Sequence, residues 1–391
     1  MRYLLINRFF GGEDVPTGRM LADVALFLRC HGHDVCVLTS KDAYGSRSCH
    51  ADFLDIKVRL LWTGGGVSRI LSWLLFWLGS FFQVVFSKWD RCILLTDPPF
   101  LPCMARMATK VRSFFVPRTS LNKIFWWTMD LYPEALVADG MMVESSRKMS
   151  FLRGLNEYGL KGLDGVICLG PRQKQRLLKY KAFQLDEAFS TVIPPWDLRS
   201  LLCEPARANP LIERFGWQNK KVVLYAGNMG RAHTYSELLQ AAAELERRGE
   251  DEWVFAFFCR KNHRVQKLEG KARGLKNVVI SDYVASNEAG FLLQSAAVHV
   301  ITMAAGWEGV VVPSKYFGLR SIRSPVLFIG PEDADTAVSI REDCSGICLP
   351  TGADVFQVIT ALKELAGRNW TKSRLRENDS CEKLAHWLEY R

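Results

Sequence analysis

The feature that most constrains this chain is a unit that occurs twice: a short apolar run, a glycine turn, residues at helical spacing, and a second apolar run. In the first copy Tyr3-Leu4-Leu5-Ile6 leads to Gly11-Gly12. Leu21, Val24, Ala25 and Leu28 then line one helical face after a start at Thr17 or Gly18. Gly32 ends that helix, and Asp34 to Thr39 is the next strand. Strand, glycine loop, helix and strand within about forty residues form a βαβ unit, and such crossovers build parallel sheets. Arg91 to Leu95 before Asp97-Pro98-Pro99, and Gly165 to Leu169 before Gly170-Pro171, extend the series. The second copy starts with Lys221 to Ala226, passes Gly227-Asn228-Met229-Gly230 and continues into a helix from Ser236 to about Arg248. Further strands are predicted at 253–258, 277–281, 298–302 and 325–329. The proline-bearing stretch 194–219 lacks periodicity and reads as a linker. The fold class is therefore α/β, with two doubly wound Rossmann-like domains, 1–193 and 220–374, facing each other across a cleft. Ligands of such sheets sit beyond the carboxyl ends of the strands.

Composition supports a folded interior. The 391 residues exceed one ordinary core, and 48% apolar against 24% charged residues excludes general disorder. No repeat of solenoid length is visible. Eleven cysteines, an odd number with no C-x-x-C pair, argue against a zinc ribbon or a disulfide framework and for a reduced, cytoplasmic protein. The apolar N-terminal run is too short for a secretory signal. Net charge is +10 and uneven: residues 1–190 carry 25 Lys/Arg against 17 Asp/Glu, and residues 191–391 carry 26 against 24. A basic first half suits anionic lipid, nucleic acid or phosphorylated substrates. The uncharged stretch 70–87 reads first as a buried crossover helix before the strand at 91–95. A helix lying in a lipid interface and a membrane span are the alternatives.

The densest chemistry lies in Gly306-Trp307-Glu308-Gly309-Val310-Val311-Val312-Pro313-Ser314-Lys315. A carboxylate can accept hydrogen bonds from vicinal sugar hydroxyls. Pro-Ser-Lys opening a helix gathers amide donors, a hydroxyl and a cation where a phosphate could sit. In the first half Asp130 follows Trp126-Trp127 and precedes Tyr132-Pro133-Glu134, so a carboxylate ends an aromatic strand. Gly11, Gly12 and Gly18 border the first loop, where glycine permits close backbone approach to a diphosphate. Asp333-Ala334-Asp335 and His31-Gly32-His33 lack the context of metal sites, and no metal is expected.

Four stretches in order carry a resemblance. They are Gly32-His33-Asp34-Val35, Trp126 to Glu134, Tyr225-Ala226-Gly227-Asn228-Met229-Gly230-Arg231-Ala232-His233, and Glu308 to Lys315. With them the chain resembles the family 4 retaining glycosyltransferases of GT-B architecture, most closely the bacterial exopolysaccharide, capsule and colanic-acid-type branch. The resemblance implies metal-independent transfer of a sugar from a nucleotide-diphosphate sugar, with retention, to a polyprenyl-linked or oligosaccharide acceptor in cell-surface polysaccharide biosynthesis. It implies no cofactor and no nucleic-acid partner, and a peripheral position on an anionic membrane surface at the cytoplasmic face. The second domain would hold the donor and the first the acceptor, with a C-terminal helix, about 375–391, packing back on the first.

Residue by residue, the resemblance gives Glu308 the donor sugar, while Asp130, a carboxylate ending an aromatic strand, could orient the acceptor hydroxyl or simply cap a helix. Lys315, with Ser314, would face the diphosphate. Gly227, Asn228, Gly230, Arg231 and His233 match the donor loop, with His233 near the position where many relatives carry a pyrophosphate-binding lysine. Gly309 and Val310 complete the turn beside the sugar. The family's second glutamate is missing, and Gly318 occupies its place, with Tyr316 eight residues after Glu308. Arg260 and Lys261 replace the usual glycine-rich turn. A nucleotide-sugar epimerase of the same fold and a non-catalytic membrane-docking scaffold are the rival readings. A nicotinamide dehydrogenase would need G-x-G-x-x-G after a strand, which Gly227-x-x-Gly230 does not provide.

Overall fold

The computed structural model describes residues 1–11, 15–41, 56–62, 68–116, 122–184, 186, 188–196, 209–368 and 379–391. The chain divides into two compact units. One comprises Met1–Leu198, Gly309–Val312 and Asn378–Arg391, and the other Arg199–Glu308 and Pro313–Glu377.

Unit 1 carries seven strands: β1 (Arg2–Ile6), β2 (Asp34–Ser40), β3 (Lys57–Leu61), β4 (Arg91–Leu94), β5 (Lys123–Trp127), β6 (Gly165–Cys168) and β7 (Ser190–Val192). Its helices are α1 (Pro16–Cys30), α2 (Arg69–Phe86), α3 (Leu101–Arg112), α4 (Glu134–Ala138), α5 (Arg147–Leu160) and α6 (Pro171–Leu177). All strand pairs are parallel, in the order β3-β2-β1-β4-β5-β6-β7. The order reverses between β1 and β4, where a crevice opens at the carboxyl ends. Helix α1 starts at Pro16 with Val15 before it, not at Thr17 or Gly18. Proline's missing N–H costs nothing at a helix's first position, so it sets the start.

Unit 2 repeats the plan with β8 (Lys221–Ala226), β9 (Trp253–Phe258), β10 (Val278–Ser281), β11 (Ala296–Thr302), β12 (Val326–Ile329) and β13 (Gly346–Leu349). The strand order is β10-β9-β8-β11-β12-β13, again parallel, with the reversal between β8 and β11. Its helices are α7 (Pro210–Arg214), α8 (Ser236–Arg247), α9 (His263–Ala272), α10 (Ala289–Gln294), α11 (Lys315–Ser321), α12 (Asp335–Glu342) and α13 (Val355–Gly367). One face of the sheet is covered by a core that includes Leu238, Leu245, Leu362 and Leu365. The other face holds Leu211 and Trp217 against Val222, Leu224 and Phe258. Residues 209–219 are thus part of this core, and the expected linker does not extend through them. Asn209 caps α7 by accepting from the Leu211 N–H.

The last helix, α14 (Ser380–Tyr390), belongs to unit 1, with Leu384, Ala385 and Leu388 buried. Trp387 stands edge-on to Phe125 at 5.4 Å. A Cβ on Gly165 would lie 2.6 Å from that indole, so the glycine at the start of β6 makes room for it. His33 Nε2 meets Glu389 at 2.7 Å and adds a polar clamp.

Strands β3, β7 and β13 were not predicted. Each is a sheet edge: Lys57 and Arg59 in β3 and Ser190-Thr191 in β7 break the apolar run that marks a central parallel strand, whereas β13 is a four-residue apolar run that is only partly buried. Helix α2 is the crossover before β4, as expected, but it is not buried outright. Five of its eighteen residues are buried: Ser72, Phe76, Ser80, Val84 and Val85.

Candidate functional site

The loop expected to hold the donor leaves β8 at the point where strand order reverses in unit 2. Gly227 has φ +125°, a conformation that side chains with a Cβ rarely adopt, and its N–H donates to the Phe258 carbonyl at 2.9 Å. The loop is held from three sides. The Asn262 amide, at the start of α9, donates to the Met229 carbonyl, and Arg264 donates to the His233 carbonyl at 2.7 Å. From β11, the Thr302 hydroxyl donates to the Thr234 carbonyl and accepts from the Thr234 N–H. The Ala304 N–H closes the loop's other end on the Ala232 carbonyl. Asn228 is exposed, but its side-chain oxygen accepts from the Tyr283 hydroxyl at 2.7 Å. Gly230 and Arg231 are exposed at the loop's rim. A Cβ on Gly230 would meet nothing closer than His233 at 3.8 Å, so no steric demand explains that glycine.

Lys315 is the central group. Its residue is half-buried, yet its Nζ is sealed from solvent and has no hydrogen-bond partner among the described residues. The ammonium lies 3.8 Å from the centre of the Tyr225 ring, whose face offers the attraction of a quadrupole but no acceptor oxygen. A Cβ on Gly227 would stand 2.5 Å from Lys315 Cε, so Gly227 is required both for its φ and for the passage of this side chain. Burial away from compensating charge lowers the lysine's pKa to about 7.

His233, near the position of the relatives' lysine, does not itself supply a cation. Burial, and then the Lys315 charge, push its imidazole down to about 3. Its Nδ1 lies 2.7 Å from the Thr302 carbonyl, an acceptor only, so in the neutral ring the proton sits on Nδ1. Positive charge at this loop therefore comes from Arg231, Arg264 and protonated Lys315, and the imidazole has Nε2 as its acceptor.

In the run after β11, Glu308 Oε2 accepts from the Gly306 N–H at 2.8 Å, which fixes the carboxylate beside a tight turn at φ +88°. Gly309 and Val310 pack with unit 1: the Leu131 N–H donates to the Val310 carbonyl at 2.9 Å, and a Cβ on Gly309 would lie 2.7 Å from the Arg172 carbonyl oxygen. Ser314 precedes α11 without capping it through its side chain. Gly318 lies within α11, in the place of the missing glutamate. Tyr316 is an anchor of this helix, buried, with its hydroxyl 2.6 Å from Asp343 and 2.9 Å from Ser345. Arg320, one turn on, pairs with the same Asp343 at 3.0 Å. Arg260 and Lys261 follow β9 beside α9, with Lys261 exposed.

In unit 1 the first loop is closed by its own glycines. The Gly11 N–H, at φ +63°, donates to the Gly18 carbonyl at 3.0 Å, and a Cβ on Gly18 would lie 2.6 Å from the Gly11 carbonyl oxygen. These contacts give both glycines a structural reason. Gly12 lies outside the described residues. Asp130 follows β5, with its N–H on the Thr96 hydroxyl. It keeps contact with solvent, yet the surrounding protein, and secondarily the Asp97 charge, push its carboxyl up to about 6. Asp97, past the end of β4, is itself raised by dehydration despite Arg8, which reaches it at 3.4 Å and also donates to Ser72 at 3.1 Å. Arg8 was not singled out in the sequence, and Asp97 and Tyr225 were named only as parts of longer stretches, without a role. The signal for each was its place, directly at a strand's carboxyl end.

No family model matches the chain. Among curated proteins it is similar to the probable glycosyltransferase WbjE of Pseudomonas aeruginosa, 24% identical over 229 residues, 56% of this chain and 54% of that protein. It is also similar to the alpha-D-kanosaminyltransferase of Streptomyces kanamyceticus, 34% identical over 112 residues, 28% of this chain and 26% of that one. The match thus spans about half of the first relative's length and about a quarter of the second's. Among solved structures, the lipopolysaccharide glycosyltransferase WaaG superposes with a TM-score of 0.68 at 12% identity, covering 100% of this chain and 96% of that one. Anabaena HepE in complex with UDP-glucose gives 0.67 at 13%, covering 100% and 94%. The UDP-GlcNAc 2-epimerase of Neisseria meningitidis bound to UDP-GlcNAc gives 0.63 at 14%, covering 100% of each. The fold is GT-B, two Rossmann-like domains, and the relatives support a glycosyltransferase.

Proposed function

We propose that this protein is a retaining glycosyltransferase of family 4 type that uses a nucleotide-diphosphate sugar held by unit 2. Its acceptor is a lipid-linked or oligosaccharide precursor of cell-surface polysaccharide, presented at unit 1 on the cytoplasmic side. The observation that carries this reading is Lys315: a buried ammonium without a hydrogen-bond partner among the described residues, at the switch point of a Rossmann-like sheet. An unpaired buried charge is costly, and an anionic ligand would relieve that cost. HepE, of the same fold, was solved with UDP-glucose and with UDP, and both carry a diphosphate.

In the proposed reaction the bond between the sugar's anomeric carbon and the diphosphate breaks as the acceptor oxygen bonds to the same face. The leaving phosphate oxygen takes the acceptor's proton. Negative charge grows on the diphosphate, and Lys315 with the first amides of α11 meets it. Fixed donors of this kind typically contribute about 3 kcal/mol each to lowering the barrier. Glu308 accepts from the donor sugar's hydroxyls. Asp130, ionised above pH 6, accepts from the acceptor hydroxyl and orients it. In this reading the transfer needs no metal, since Lys315 and the amides of α11 supply the positive charge.

The test is a screen of nucleotide sugars by thermal shift, followed by product analysis with the one that binds. A ligand bound only by the native state raises the melting temperature by mass action. Release of free nucleoside diphosphate from that sugar is the expected outcome. An epimerised sugar still attached to its nucleotide would instead favour the epimerase reading, which the Neisseria structural likeness keeps in view. No binding of any nucleotide sugar would leave a scaffold.

A further inference from the structure

Helix α2 has two faces of opposite character. Phe76, Ser80 and Val84 are buried at four-residue spacing, and Ile70, Leu74, Leu78, Phe82 and Phe86 repeat the same spacing on the other side. This second stripe is 49–68% exposed along its whole length. A lone exposed leucine is ordinary, whereas five large apolar residues in one row are not. The row continues beyond the helix. The Phe82 and Phe86 rings stack at 6.2 Å, Phe86 faces Phe115 at 6.3 Å, and Phe114 beside it is 85% exposed.

The charge around this row has one sign. Between residues 68 and 116 there are six Lys and Arg against two Asp. Both aspartates are already paired, Asp90 with Arg2 and Asp97 with Arg8. Lys88, just past α2, and Lys110, on α3, are exposed. An apolar, aromatic row beside unpaired acidic surface would suit a basic protein, but an apolar row rimmed by lysines suits the interface of an anionic bilayer. We infer that α2 and the Phe114-Phe115 turn form a membrane-docking surface that seats in the headgroup region of an anionic leaflet.

By length and composition α2 could cross a membrane. Its other face argues for lying on one instead. Gly79 is pressed on Leu61 of β3, where an added Cβ would come within 2.6 Å, and the Trp77 indole donates to the Pro99 carbonyl at 3.2 Å. The Arg112 guanidinium donates to the carbonyls of Val85 and Ser87, each at 2.7 Å, and ties the helix's end to α3. A crossover helix held at both ends and along one face cannot leave its sheet to span.

The surface begins beside the acceptor side of unit 1. Ser72, in the first turn of α2, accepts from Arg8, which pairs with Asp97, the charge that presses on Asp130. A lipid-linked acceptor would thus enter from the same face that docks. This last link rests on the transferase reading, whereas the docking does not.

Co-sedimentation of the full chain with vesicles tests it, using phosphatidylcholine alone and phosphatidylcholine with about a third phosphatidylglycerol. Wild type should bind the anionic vesicles roughly tenfold more strongly, and high salt should release it. Combining Leu74→Ser, Leu78→Ser, Phe82→Ser and Phe115→Ser should lower binding at least about tenfold. The same variant should keep its melting temperature and its shift with nucleotide sugar, because every altered side chain is at least 49% exposed. Lys88→Glu with Lys110→Glu should remove the preference for anionic lipid. Lys315→Met should sediment as wild type does, so a failed donor site and a failed docking surface are told apart. Binding that survives alkaline carbonate, equal binding to neutral vesicles, or binding untouched by the four serines would overturn the inference. So would soluble dimers that those serines abolish.

Discussion

At the residue scale, Lys315 sets a conflict between stability and binding. Its folded pKa, about 7, lies below the ordinary lysine value, so the unfolded chain binds more protons between pH 7 and about 10. Stability should therefore rise with pH across that window, and the part due to this group should vanish in Lys315→Met. That variant should be more stable than wild type without ligand, by on the order of 1 kcal/mol, since an apolar side chain replaces an unpaired buried charge. Its affinity for the nucleotide sugar should fall roughly 10- to 100-fold, the worth of a hydrogen bond to a charged group. Wild-type affinity should weaken above pH 7 as the lysine loses its proton, and calorimetric titration at several pH values checks the sign. Asp130 gives a second pH signature. With its carboxyl raised to about 6, the transfer rate should drop below pH 6, and Asp130→Asn should be slow with that acid limb gone. An unchanged limb in the variant would assign it to another group.

At the scale of elements, α11 is a short helix whose placement depends on what lies beneath it. Seven residues do not sustain a helix by themselves. The Tyr316 hydroxyl on Asp343, with Arg320 on the same carboxylate, fixes the helix to the end of α12 and so aims Lys315 at Gly227 and the loop after β8. Tyr316→Phe should cost about 1–3 kcal/mol, because Asp343 loses a buried donor. Thermal denaturation reads the loss of stability. A matching rise in the dissociation constant for nucleotide sugar would show that the loss travels through α11. A variant that melts early but binds normally would confine Tyr316 to packing.

At the scale of the whole molecule, each unit has its own parallel sheet and its own core, and α14 is spent on unit 1. Calorimetry of the full chain should resolve two unfolding steps, of which nucleotide sugar raises only the one that belongs to unit 2. Stopping the chain before α14 strips the cover from Phe125 and Gly165 and should lower the other step alone. A single step that ligand shifts as one would show the two cores to be thermodynamically fused.

The central strands and both glycine loops were legible in the sequence, because a strand buried on two faces must be an unbroken apolar run and a sharp exit from it must be glycine. The linker boundary, the edge strands β3, β7 and β13 and the half-open state of α2 were not, since β3 and β7 carry mixed sequences, β13 is a short run, and exposure depends on what packs against an element. The site followed the same division. The motif identified Lys315, Glu308 and Asp130 as residue types suited to the chemistry. Only the fold decided that Lys315 lies under Tyr225 with no hydrogen-bond partner among the described residues, that burial and the Lys315 charge keep His233 neutral, and that Gly11 and Gly18 serve each other. Chemical identity is written along the chain, whereas charge state and partnership depend on neighbours distant in sequence, and burial is a property of the assembled tertiary structure.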